Sequence, residues 1–463
     1  MKHKILLPLI SVLICGAATG QNVIRKSGSP LNHPALNYQS PFMSADGMSL
    51  LFQSDNTENK TPGLFFTTKT GADWKEPVQL PKTINGALTF FDGSTLSPDG
   101  KDIWVSTQRG GGVGGYDLVA FKVKPDGFSE GRNAGMPINS KEHEASAVFT
   151  PDGSMMYFMR CSIMSPERAE GCRILSSKKK PNGIWDTPQD LPGNINQGNS
   201  MFPRILADGE TLIFLSDRHG GSRGVDYYMA RFEDDSWSTP VALDFINTEK
   251  DERPISITPS GRSVFTALPG ARKSELAEVM FPAELKPKTV LRVNGSIGGL
   301  NDPSAMYLSV YDSASGKQLR SLRPDANGTF NIFLSYGNSY VFFADPSDDH
   351  LPFFRKVYNL TSGQGQVIEK LSLDVIPLQS GSTFDLGAVS FLENTAPSPS
   401  SVPVLNRVIR MLQANPQTAF QVHCDNADIY DLFFRHLRKK GINNELELTI
   451  PEVPGNKIIL ISL

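Results

Sequence analysis

The 463-residue chain is poor in cysteine, tryptophan and histidine, with four, four and seven of these residues, and it lacks a strong charge of either sign. Its 45 basic and 48 acidic side chains give a formal net charge of -3. Such a balance excludes a basic nucleic-acid binder and an acidic disordered tail. No apolar stretch reaches the roughly twenty residues that a membrane-spanning helix requires, so no span is expected. There is no CxxC pair and no HExxH motif, hence no redox motif and no zincin site, and neither metal nor cofactor is expected. What is plentiful is glycine and proline, 40 and 33 residues, which favour many turns over long helices.

Lys2 and Lys4 precede an apolar run from Ile5 to Ile14, and the small residues Ala17, Ala18 and Gly20 follow. This is the layout of a signal peptide over residues 1–20, cleaved near Gln21. Cys15 leaves lipidation open, although Ile14 stands where a lipobox takes Gly, Ala or Ser. Export allows disulfides. Cys161 and Cys172 lie 11 positions apart around a hairpin loop, which makes them the disulfide candidate, with two free thiols as the alternative.

Five tight-turn motifs recur along the first 261 residues: SADG at Ser44, SPDG at Ser97, TPDG at Thr150, LADG at Leu206 and TPSG at Thr258. Their glycines are 53, 53, 56 and 52 residues apart. Pro presets the first corner of a turn, Asp tolerates the next, and Gly takes the left-handed position that closes a hairpin. An apolar run follows each turn and a second follows a polar loop. Trp74, Trp185 and Trp237, each with a proline three residues on, mark a fourth strand in three of the repeats. Units of four strands repeated around a circle are the blades of a β-propeller, since one such sheet buries both faces only when neighbours stack on it.

Ile-Asn follows the fourth strand at Asn85, Asn139, Asn196 and Asn247, but not after the fifth repeat, while Leu31-Asn32 stands 53 residues before Asn85. Residues 22–32 are therefore expected to supply the missing outer strand of the last blade, giving a five-bladed ring, with six blades as the alternative. SPDGK and IWVSTQRGGG carry a resemblance to the TolB-type, WD-repeat-like propellers of bacterial envelope proteins, over roughly residues 30–283. It implies a fold rather than a function.

Several motifs look chemical. Gly220 to Gly224 spell GxSxG around Ser222, but a nucleophile elbow needs a helix next, and Val225 to Phe232 reads as strand. Gly110, Gly112 and Gly115 spell GxGxxG before a strand, with no helix N-terminus to hold phosphate. His143, between Glu142 and Glu144, has no second ligand at defined spacing and reads as a solvated loop histidine. The turn residues Asp46, Asp99, Asp152 and Asp208 are explained by turn chemistry rather than by calcium.

Residues 285–378 show short alternating runs with turns between them, a small β-sandwich. VNGSIGGLNDPSAMYLSVYDSASGKQL, with DANGTFNIFL and YGNSYVFF, resembles the carboxypeptidase regulatory-like domain. In residues 379–463, Val402, Leu405, Val408, Ile409 and Leu412 share one helical face until Asn415-Pro416 stops it. Strand Phe420 to Val422, helix Ile429 to Lys440 and strand Lys457 to Leu463 complete an order that, with NPQTAFQVHCDN, resembles a shortened OmpA-like α/β domain. That resemblance implies peptidoglycan binding through Asp425 and its neighbour Asn426, because in the family an Asp and an Arg clasp a ligand bearing ammonium and carboxylate. Ile429 occupies the place of that Arg, and Arg435 and Arg438 lie further along.

The order of propeller (21–284), sandwich and OmpA-like end resembles PorE-type envelope proteins of the type IX secretion system. It implies a mainly β, non-enzymatic scaffold or binding protein in the periplasm, associated with the outer membrane. The propeller is expected to dock an envelope protein partner and the C-terminal domain to meet peptidoglycan. The alternative is a propeller enzyme acting on sugars or peptides, which needs acidic, His or Tyr groups converging on the central channel.

Overall fold

The computed structural model describes residues 23–463 apart from 57–61, 72, 87, 89, 91, 109–110, 167, 181, 218–223, 271–272, 363–367, 394–395 and 451–456. The signal peptide read over residues 1–20, including Cys15, lies outside the described residues, as do Gly110 and residues 220–223 of the two glycine motifs. Both motifs lead into strands, Asp117–Lys124 and Asp226–Glu233.

The N-terminal part is a β-propeller. Its sheets, numbered one to five along the chain, are antiparallel and begin with Leu36–Met43, Thr95–Leu96, His143–Phe149, Ser200–Ile205 and Ser256–Ile257. Each runs on through a turn glycine with φ between 65° and 71° into its second strand, a conformation that disfavours any Cβ. In the first turn the Ser44 hydroxyl accepts from Ser49 N at 3.0 Å and Asp46 Oδ1 from Met48 N at 2.9 Å. The turn's polar residues thus satisfy main-chain donors that the tight bend leaves over.

The Ile-Asn motif has one job in every sheet. The side-chain amide binds the N–H and C=O of one residue in the third strand, standing in for a neighbouring strand. Asn85 holds Leu64 at 2.8 and 3.2 Å, Asn139 holds Leu118 at 2.9 and 3.1 Å, and Asn196 holds Ile174 at 2.8 and 2.9 Å. Asn247 holds Tyr227 at 2.8 and 3.1 Å. The fifth clamp comes from the other end of the chain: Asn32 holds Leu276 at 2.6 and 3.0 Å. Beside it, Ile24–Lys26 pairs antiparallel with Ser274–Met280 as the outer strand of sheet five. The residue before the Asn fills the core at four of the five places, where Leu31, Ile84, Ile138 and Ile195 are buried, and Ile246 is partly buried.

Cys161 and Cys172 continue the pairing of Arg160 with Arg173 and are joined by a disulfide with Cα atoms 4.0 Å apart. A small hairpin, Ile163–Ser165 with Arg168–Glu170, extends beyond it.

The sandwich packs Thr329–Ser335, Val290–Gly298 and Ile368–Asp374 against Gln318–Leu322, Tyr307–Asp312, Ser339–Asp345 and Phe354–Asn359. Leu291, Val293, Leu308 and Phe342 lie in its core. The C-terminal sheet runs in the order Thr383–Gly387, Ile458–Ser462, Phe420–His423, Leu446–Thr449, covered by helices Val402–Ala414 and Ala427–Lys439. Val404, Leu405, Val408 and Leu412 are buried there together with Phe420 and Leu460. The second helix begins at Ala427 rather than at Ile429, since Asn426 caps it, and the strands Leu446–Thr449 and Thr383–Gly387 were not anticipated. Leu446–Thr449 is four residues long with none buried, whereas Thr383–Gly387 alternates, with Phe384 and Leu386 buried and Thr383 and Asp385 exposed.

The sandwich sits on the face of the propeller that carries the turns. Arg292 Nη1 donates to Asp46 O at 2.8 Å, Lys101 lies 3.7 Å from Asp325, and Lys288 pairs with Glu210 at 2.7 Å. The loops of the opposite rim are left uncovered by this contact.

Two outcomes follow. A chain beginning at Tyr38 loses the outer strand and the Asn32 clamp and is expected to be at least about 2 kcal/mol less stable in urea than the signal-cleaved chain; equal midpoints would mean that the ring does not depend on this closure. Reducing the Cys161–Cys172 bond is expected to cost about 3 kcal/mol, the chain-entropy value for so short a loop. Melting curves that coincide with and without reductant would contradict it.

Candidate functional site

The sheets meet at an axis, and side chains that reach non-adjacent sheets identify it. Seven residues before each of the first four turn glycines stand Ser40, Gly93, Ser146 and Phe202, all at positive φ, from 44° to 82°. The ladders of sheets one, three and four shift register at this point. Such bulges bend each inner strand and bring its backbone close to the others. A Cβ on Gly93 would meet Ser146 Cβ at 3.1 Å and the Phe202 ring at 3.2 Å.

Arg204 closes the axis from sheet four. It is 3% exposed, and its Nε donates to Ile255 O at 2.6 Å while Nη1 donates to Ser146 Oγ and Pro203 O, each at 2.8 Å. Its guanidinium lies 5.0 Å from the Phe42 ring. One side chain therefore touches sheets one, three and five. Burial pushes its pKa down to about 9, so it is charged at neutral pH. Towards the turn face a cavity of about 60 Å³ remains, room for one or two waters, lined by Pro98, Pro151 and Pro259.

Towards the free rim a second plug stands above the first. Arg253 Nη1 donates to Gln39 Oε1 at 3.0 Å and to Asp92 Oδ2 at 3.3 Å, and Ser40 Oγ donates to Asp92 Oδ1 at 2.6 Å. The Arg253 side chain is 58% exposed and faces the mouth. Beside it opens a pocket of about 400 Å³ with Tyr227, Glu252 and Lys250 in its wall. Burial raises the Glu252 carboxyl, which accepts from Thr248 N at 2.5 Å, and burial also raises the Tyr227 hydroxyl, which donates to Arg253 O. The carboxylate at the axis, Asp92, is matched by a guanidinium and a hydroxyl. The charges at the axis itself are thus paired with one another.

His143 is not a loop residue. It opens strand His143–Phe149, half-buried, where its Nδ1 accepts from Tyr116 N at 3.1 Å. The turn aspartates remain in their separate turns, and among the described residues no cluster of His, Cys, Asp and Glu could hold a metal ion.

In the C-terminal domain Asp425 is half-buried just ahead of helix Ala427–Lys439. Asn426 is that helix's N-cap, its Oδ1 accepting from Asp428 N and Ile429 N at 3.1 Å. The nearby guanidinium groups are engaged elsewhere. Arg435 pairs with Asp431, and Arg438 donates to Ile442 O at 2.8 Å while lying 4.6 Å from the Phe434 ring.

Sequence reasoning missed both axial arginines. A signal for the first did exist: at the repeat position of Arg204 the other units carry Phe42, Thr95, Val148 and Ser256, so a lone Arg breaks the pattern.

No protein-family model and no curated protein matches the sequence. Among solved structures the chain is similar to TolB from Acinetobacter baumannii, at 15% identity and TM-score 0.34, over 53% of this chain and 54% of that one. It is likewise similar to a putative TolB from Agrobacterium tumefaciens, at 18% identity and TM-score 0.32, over 65% and 90%. A third is the periplasmic gluconolactonase PpgL of Pseudomonas aeruginosa, at 13% identity and TM-score 0.29, over 64% and 87%. The chain spans about half the length of the Acinetobacter structure. Among the described residues no helix is long and apolar enough to cross a membrane.

Replacing Arg204 with Ala leaves Ser146 and Ile255 O without their donor and opens a hole at the axis. It is expected to cost about 3–5 kcal/mol in urea unfolding. A loss below about 1 kcal/mol would show that the guanidinium does not brace the ring.

Proposed function

We propose that the chain is a non-enzymatic binding protein of the cell envelope, lying in the periplasm in association with the outer membrane. Its five-bladed ring docks a protein partner on the rim opposite the sandwich. One observation carries this reading: the axis is filled at two levels, by Arg204 and Arg253, while the turn face is taken by the sandwich. What is left to the propeller is a rigid rim of loops around a polar mouth, a surface suited to docking.

The C-terminal domain is read as a shortened OmpA-like domain that meets peptidoglycan through Asp425 and Asn426. The order of helix Val402–Ala414, strand Phe420–His423, helix Ala427–Lys439 and strand Ile458–Ser462 supports the fold assignment. In the same helix Asn426 serves as the N-cap, Arg435 pairs with Asp431 and Arg438 donates to Ile442 O. A place in type IX secretion rests on the order of the domains alone.

The pocket that holds Glu252, with its raised carboxyl, beside Tyr227 favours the enzymatic alternative, since a protonatable carboxyl in a cleft is a form that general acids take.

The full chain is expected to sediment with purified sacculi and Asp425→Ala to remain in the supernatant. Cross-linking in intact cells is expected to trap a partner that Arg253→Glu releases. Unchanged sedimentation removes the peptidoglycan site, and a partner trapped equally by Arg253→Glu removes the rim.

A further inference from the structure

The crevice between the ring and the sandwich is bordered by a strand edge to which no other strand is paired among the described residues. Thr329–Ser335 ends its sheet, with Val290–Gly298 as its neighbour. Ile297 N donates to Gly328 O at 3.0 Å and Tyr336 N to Thr289 O at 2.8 Å. In this register Phe330, Ile332 and Leu334 turn their main-chain groups towards that neighbour, and Thr329, Asn331, Phe333 and Ser335 turn theirs outward. Asp325 binds both main-chain groups of Thr329, and the Tyr340 hydroxyl donates to Ser335 O. The N–H and C=O of Asn331 and Phe333 remain, two residues apart, at the spacing with which an added strand bonds.

An unsatisfied group stands at each end of this stretch. Asp102 shares with Asn331 a cavity of about 590 Å³, and Arg320 shares with Phe333 a neighbouring one of about 480 Å³; Asp152 lines both. Asp102 Oδ1 and Arg320 Nη1 are buried without a hydrogen-bond partner among the described residues. A buried acceptor and a buried donor left open in this way favour whatever supplies their complements. Met136 and Ile184, 77% and 58% exposed, flank the first cavity.

We infer that the crevice takes an extended peptide segment of another protein, added as a strand to Thr329–Ser335. A side-chain amide oxygen of the peptide accepts from Arg320, whose charge already holds the Asp152 carboxyl down, a hydrogen-bond donor meets Asp102, and an apolar side chain lies between Met136 and Ile184. A glycan suits the place less well. It has no main-chain groups at strand spacing, and the Trp104 face it would stack on is 7% exposed. This site lies across the propeller from the axial mouth and stands whether or not the rim docks a partner.

The test uses the full chain and a phage-displayed library of short linear peptides. Enriched peptides are expected to carry Asn or Gln and apolar residues and to bind Asn331→Pro about tenfold more weakly, since proline deletes an edge donor at a place where strands tolerate it. Arg320→Leu is expected to abolish the amide preference and Asp102→Asn to weaken binding, which keeps the test decisive should the proline variant fail to fold. No enrichment over background, or peptides that bind all three variants as tightly as the parent, would overturn the inference. So would a dimer in analytical ultracentrifugation that Asn331→Pro dissolves, because the edge would then belong to a second copy.

Discussion

The antiparallel pairing of Ile24–Lys26 with Ser274–Met280, together with the Asn32 clamp on Leu276 across 244 residues of sequence, joins the two ends of the propeller. A ring of sheets whose first and last members are not tied can open at that seam, and every sheet depends on its neighbours to bury its faces. Closure therefore acts on the whole propeller, although it is local in extent. The same asparagine device serves at the seam as at the other sheets.

Closure also narrows the axis, and that narrowing determines what the molecule can offer a ligand. Bulges at Ser40, Ser146 and Phe202 draw the inner strands together, and the space left is filled by Arg204, whose hydrogen bonds run to Ser146 in the inner strand of sheet three and to Ile255 just ahead of that of sheet five. A buried guanidinium is tolerated there because hydroxyl and carbonyl acceptors surround it, in place of a carboxylate. The packing at the axis thus leaves the rims and outer faces as the exposed parts of the propeller.

The same chemistry with a different partner joins the sandwich to the C-terminal domain. Arg407, 6% exposed, meets Asp345 through Nε and Nη2 at 2.7–3.0 Å, bonds Ser309 Oγ at 2.8 Å, and lies 3.9 Å from the Phe343 ring. The helix Val402–Ala414 is thereby anchored to the sandwich sheet, and with the contacts of Arg292, Lys101 and Lys288 the three regions stack in chain order.

The repeat was legible because its turns require particular residues: the left-handed glycine of DG, the Asp that caps the bend, and the Asn whose amide mimics a strand all leave a chemical mark at fixed spacing. The closing role of residues 22–32 could be read from a missing Asn and a surplus one. The bulges left no such mark, since Ser, Gly and Phe all occupy the position and only the packing of inner strands around the axis selects their backbone. Arg204 and Arg253, the covering of the turn face and the open edge at Asn331 were likewise decided by tertiary structure. Each depends on groups far apart in sequence meeting at a distance of a few ångströms, whereas local turn chemistry acts between neighbours and is written in their order.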